Sequence, residues 1–142
     1  MLSNSWPADL SSLERLQTFI EEWGSREGLS SETKNQINLL LEEIIVNIIN
    51  YAYKDPSGQV FSIDIKTTPK EILFCISDSG IPFNPLDAED PDLCSGVEDR
   101  PVGGLGIFFV KQFTTHAAYE RRDNKNYLTL IVSKGDSPCS LP

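Results

Sequence analysis

Between residues 31 and 78 the hydrophobic residues change period, and that change restricts the fold more than any other feature of the chain. From Ser31 to Tyr53 they recur at about 100° per residue, the spacing of a helix face. Ile37, Leu41, Ile44 and Ile48 share one stripe, widened by Leu40, Ile45, Tyr51 and Ala52. After the turn KDPSG the period falls to two, with Phe61, Ile63 and Ile65 alternating against Val60, Ser62 and Asp64. A second strand, EILFCISD, follows a turn at Pro69–Lys70, so the two strands form a hairpin.

The flanking segments extend the pattern. Leu13, Leu16, Phe19, Ile20 and Trp23 stand at helical spacing within residues 10–23, with Asp9 or Ser11 available to cap that helix and Gly24 to stop it. Ser30 or Ser31 can cap the second helix. Residues 84–102 have no periodicity and are rich in proline, glycine and acidic residues, the composition of a lid. GGLGIFFVKQF opens a third helix, HAAYERRD–NKNYLTLIVSK forms a closing hairpin around Asn124, and residues 135–142 read as a frayed tail. Strands joined as hairpins imply a mixed, mostly antiparallel sheet with helices over one face, an α/β two-layer sandwich. We expect one domain over residues 1–142 with its core at about 10–134.

Composition narrows the function. A net charge of −9 argues against a nucleic-acid backbone as partner. The 3 cysteines, Cys75, Cys94 and Cys139, show no C-x-x-C spacing, which argues against zinc and for a reduced, cytoplasmic chain. The start MLSNSWPADL has no signal-peptide pattern, and no apolar run approaches the roughly 20 residues of a membrane span. The single histidine, His116, stands beside Thr114 and Thr115 without a serine or cysteine nucleophile motif, so a triad is not expected.

Three segments carry residues that packing alone does not require. Glu43, Asn47 and Asn50 form a polar stripe along one flank of the second helix, while Glu42 points away. A wet helix margin would look the same, since polar pairs at this spacing are common. Asp78 ends a strand, with Gly80 two residues later; a buried carboxylate there could accept a hydrogen bond from an exocyclic amine such as adenine N6. Gly103, Gly104, Leu105 and Gly106 open a helix, where glycines let backbone N–H groups approach a phosphate.

Taken in this order, the three segments, together with YERRDNKNYLTLIV, resemble the ATP-binding domain shared by gyrase, the heat-shock chaperone, histidine kinases and MutL. Within that superfamily the chain is most similar to stand-alone anti-sigma factor serine kinases of the RsbW type. The resemblance implies a Bergerat-type ATP site. Asn47 would ligate Mg²⁺, Glu43 would act as general base, Asp78 would bind adenine N6, and Gly80 would let the base lie against the backbone. Gly103, Gly104, Leu105 and Gly106 would surround the phosphates, Thr129 would support the adenine contact, and Arg100 in the lid would reach the γ-phosphate. It further implies a partner-switching regulator that phosphorylates a STAS-type anti-anti-sigma protein, sequesters a sigma factor or similar regulator, and forms a homodimer. The chain departs from the best-known kinases at Tyr51–Ala52, where they carry His-Gly, and at Ile81-Pro82-Phe83 after Asp78-Ser79-Gly80. The alternative is a nucleotide-gated binding module without significant kinase activity.

Overall fold

The computed structural model describes residues 2–53, 58–87 and 106–134. Strand β1 (Leu2–Pro7) leads into helices α1 (Ser12–Arg26) and α2 (Ser31–Asn47), the latter prolonged by a π-helical turn over Ile48–Ala52. Strands β2 (Val60–Thr67) and β3 (Glu71–Asp78) follow, then a 3₁₀ turn at Pro85–Asp87, helix α3 (Gly106–Phe113) and strands β4 (His116–Arg122) and β5 (Lys125–Ser133). The sheet has five strands in the order β1-β2-β3-β5-β4. Every ladder among the described residues is antiparallel, so the parallel pairing that a mixed sheet would contain is not found there.

Alternation decides which side of the sheet is buried. Phe61, Ile63 and Ile65 of β2, Ile72, Phe74 and Ile76 of β3, and Leu128, Leu130 and Val132 of β5 all point to the helices. Ile20, Trp23, Ile37, Leu40, Leu41, Ile44 and Ile45 meet them from α1 and α2. Trp23 packs edge-on against Phe74 at 5.9 Å between ring centroids, tying the first helix to the middle of the sheet.

Strand β1 is absent from the sequence-based expectation. Its LSNSWP has one buried residue, Trp6, and no usable alternation. What holds it is tertiary: register with β2, and the Trp6 ring stacked on Phe61 at 5.6 Å and edge-on to Phe19 at 5.2 Å.

Gly24 does not stop α1; the helix continues to Arg26 and turns at Gly28, whose φ of 75° suits glycine. Gly24 instead makes room for the stem of Lys34, since a Cβ there would sit 2.7 Å from Lys34 Cγ. That passage lets the buried ammonium reach Glu21 at 2.8 Å and Ser25 at 2.9 Å. Ser30 is the residue that caps α2, accepting from Thr33 N at 3.1 Å. In the closing hairpin Asp123 and Asn124 both adopt positive φ, the two-residue turn expected around Asn124.

Truncating Phe74 to Ala should destabilise the fold by about 3–5 kcal/mol, the usual range for a buried aromatic. Lys66→Ala, on the open face of the same sheet, should stay within about 0.5 kcal/mol. Urea denaturation of the two variants against the parent chain checks both values.

Candidate functional site

The polar flank of α2 survives folding in part. Glu43 is half-buried, and its Oε1 is enclosed with no hydrogen-bond partner among the described residues. Burial, and secondarily the charge of Glu42, pushes its carboxyl above the ordinary value. Asn47, one turn later and the last residue of α2, is 6% exposed with its Oδ1 enclosed. Asn50 does not continue the stripe: it is exposed, as is Tyr51, because the π-helical turn breaks the 3.6-residue register after Asn47. Such turns add a residue to the helix and recur at functional sites.

The end of β3 supplies the second carboxylate. Asp78 has the same parity as Phe74 and Ile76, so it faces inward and is 4% exposed. Its Oδ1 accepts from Gly80 N at 2.8 Å and from Asn126 Nδ2 at 2.9 Å. Burial nonetheless raises its pKa, opposed by these two hydrogen bonds and by the Arg121 charge. Tyr53 closes one side, donating its hydroxyl to Val60 O and accepting from Ser79 N, each at 3.1 Å.

The two carboxylate-bearing segments meet at Ala52. Ile81 N donates to Ala52 O at 2.8 Å, and a Cβ added to Gly80 would lie 2.4 Å from that same oxygen. The structure therefore gives Gly80 a packing role against the end of the α2 extension. Close approach of backbone to backbone demands the glycine.

Thr129 is a correction. It pairs with Cys75 across β3 and β5 and shares the open face of the sheet, where it is hydrogen-bonded to the Cys75 thiol. Alternation turns it away from Asp78, and a one-residue error of parity is enough to do so. The residue opposite Asp78 is Asn126, 3% exposed, which the sequence reading passed over. Counting alternation back from Leu130 and Leu128 would have found it.

Of the expected phosphate segment, Gly106 is the first residue of α3. Gly103, Gly104, Leu105 and Arg100 lie outside the described residues, as do residues 88–102 of the expected lid. A separate groove of about 500 Å³ runs between the Pro7–Leu10 turn and Gly58–Val60 and includes Ile49, but none of Glu43, Asn47 or Asp78. Among the described residues no three His, Cys, Asp or Glu side chains gather into a metal site. The enclosed Glu43 Oε1 and the Asn47 side-chain oxygen fit a hard cation that takes few protein ligands and completes its shell with phosphate and water.

Residues 6–132 match the family model of the histidine kinase-like ATPase domain. The chain is 27% identical over 112 residues to the serine/threonine-protein kinase BtrW of Bordetella bronchiseptica, covering 79% of each. Its fold is similar to the RsbU and RsbW domains of Rv1364c from Mycobacterium tuberculosis, with a TM-score of 0.60 at 13% identity. That match covers 94% of this chain and 33% of the other, so this chain spans a third of the larger protein. A chain of the SiaB–SiaC complex from Pseudomonas aeruginosa is similar at TM-score 0.59 and 14% identity, covering 94% of this chain and 89% of that one.

The raised pKa of Glu43 carries a signed consequence. Its folded form holds a proton more tightly than the unfolded chain, so the favourable contribution is full below the ordinary carboxylate pKa and is lost as pH rises through the higher folded value. Glu43→Gln lacks that loss. Thermal unfolding from acid to neutral pH should show the two proteins alike at the acid end and Glu43→Gln the more stable at neutral pH. A constant difference across the range would contradict the burial of this carboxylate.

Proposed function

This chain belongs to the histidine kinase-like ATPase domain family, and on that footing we propose that it is an ATP- and Mg²⁺-dependent serine kinase of a bacterial partner-switching circuit. Its acceptor is a hydroxyl on a STAS-type antagonist, and phosphorylation of that antagonist leaves the chain free to sequester a sigma factor or analogous regulator. The observation that carries this reading is Glu43: a carboxylate with one oxygen enclosed and unpartnered among the described residues, one helical turn before Asn47. An enclosed acceptor without a donor destabilises a fold unless something uses it. The name of the BtrW relative, a serine/threonine-protein kinase, supports the choice of acceptor, and the SiaB–SiaC complex supports a regulator that acts on a protein partner.

Each residue then has a task. Asp78 accepts a hydrogen bond from the adenine amino group, and Gly103, Gly104, Leu105 and Gly106 hold the phosphates with their backbone. Arg100 reaches the γ-phosphate. Mg²⁺, held by the Asn47 oxygen, supplies charge neutralisation at the phosphates when bound. Glu43, its basicity raised by burial, takes the proton of the attacking hydroxyl. A cytoplasmic setting follows from the cysteine pattern, which suits a reducing compartment.

Tyr51–Ala52 favours a second reading, a nucleotide-gated binding module. Tyr51 is 43% exposed and its ring lies 5.9 Å from that of Phe83, a contact suited to a partner surface beside the Asp78 turn.

The two readings separate on mutation. Asn47→Ala should weaken Mg-ATP binding while leaving metal-free adenosine binding nearly intact. Glu43→Gln should bind nucleotide yet lower phosphate transfer to a STAS-type protein by roughly 10²–10⁴-fold, the range for loss of a general base. Calorimetry and transfer of labelled γ-phosphate measure these effects. Transfer at the parent rate by Glu43→Gln would remove Glu43 from the base role, and no transfer by the parent chain to any STAS-type partner would leave the binding module.

A further inference from the structure

We propose that Asn126 is a positioning residue for base recognition: it fixes the Asp78 carboxylate so that Oδ2 is presented to the amino group of a 6-aminopurine. The inference rests on the reading of Asp78 as the adenine-binding residue. Asn126 stands directly opposite Asp78 in the β3–β5 ladder, and its amide is fully engaged at both ends. Nδ2 donates to Asp78 Oδ1 at 2.9 Å and to Ile81 O at 2.8 Å. Oδ1 accepts from Phe83 N and Arg121 Nη1, each at 3.2 Å, and from the Tyr119 hydroxyl.

This arrangement has one orientation. Reversing the amide would set its oxygen against two acceptors and its nitrogen against three donors, including a guanidinium that cannot give up its charge. The polarity of the Nδ2 end is therefore set by residues on β4 and in the turn after β3. It passes to Asp78, whose Oδ1 receives both Asn126 Nδ2 and Gly80 N. Rotating the carboxylate would break both bonds inside a site from which water is largely excluded. Oδ2 takes no hydrogen bond among the described residues, so it is the oxygen open to a ligand donor. An amino group at purine C6 matches it, and a carbonyl oxygen at C6 would meet a lone pair.

The same network pins the turn that would lie along the base. Arg121 Nη1 donates to Gly80 O at 2.7 Å, while Ile81 N is held by Ala52 O. Gly80, Ile81 and Phe83 are thus anchored to three elements distant in sequence.

The test compares Mg-ATP with the Mg complex of purine riboside triphosphate, which has hydrogen in place of the 6-amino group. For the parent chain, calorimetry should show a preference for ATP. Asn126→Leu should bind ATP about ten- to a hundred-fold more weakly, the loss of a charge-assisted hydrogen bond, and bind the deaminated analogue as before. Equal weakening of both ligands, or an unchanged ratio, overturns the proposal and leaves Asn126 a purely structural residue. A parent chain that binds triphosphates but does not distinguish the two refutes the Asp78 reading, and the proposal with it. If Asn126→Leu does not fold, Tyr119→Phe decides: it removes one donor to Oδ1 and opens no cavity. It should lower ATP affinity by about two- to ten-fold with the analogue unaffected, and an unchanged ratio there overturns the proposal.

Discussion

At the end of β3 two polar side chains, Asp78 and Asn126, are buried opposite one another where alternation would otherwise place apolar residues. A buried carboxylate is tolerated only when its acceptors are met, and the cross-strand amide and Gly80 N meet one of its oxygens. The amide must then be met in its turn. Tyr119, Arg121 and the turn from Gly80 to Phe83 are all drawn in to do so. One inward-facing acid thus dictates the identity of the residues around it on β4, β5 and the connecting turn.

The apolar core supports this polar end without containing it. Strands β2, β3 and β5 send isoleucine, leucine and phenylalanine toward α1 and α2, and aromatic contacts lock the two layers at Trp23–Phe74 and Trp6–Phe19. That rigidity matters because the α2 extension and the β3 turn meet backbone to backbone at Ala52. Gly80 is required there by the closeness of two backbones, and any side chain would push the carboxylate segments apart. Burial holds the carboxyls of Glu43 and Asp78 above their ordinary values. Charges held out of water destabilise the fold, and such groups cluster at functional sites.

Much of this was legible from residue order. Helical spacing gave α1 and α2, alternation gave β2 and β3, and Asp123-Asn124 marked the closing turn. The inward placement of Glu43, Asn47 and Asp78 could be expected from the same periods. Errors arose where a local rule met a distant neighbour. Gly24 reads as a helix stop until Lys34 is seen crossing it, and LSNSWP shows no strand period until Trp6 finds Phe61.

By itself, the sequence determined the layers and the faces, because hydrophobic period is a local property and burial follows from it. It also set the flank on which Glu43 and Asn47 lie. Only the tertiary structure decided what stands beside each acid. The register of β5 against β3 put Asn126 rather than Thr129 on Asp78, and the π-helical turn removed Asn50 and Tyr51 from the inner face. Both outcomes depend on a shift of a single residue. Such a shift hardly alters the composition of a segment, yet it reverses which side chains face the core.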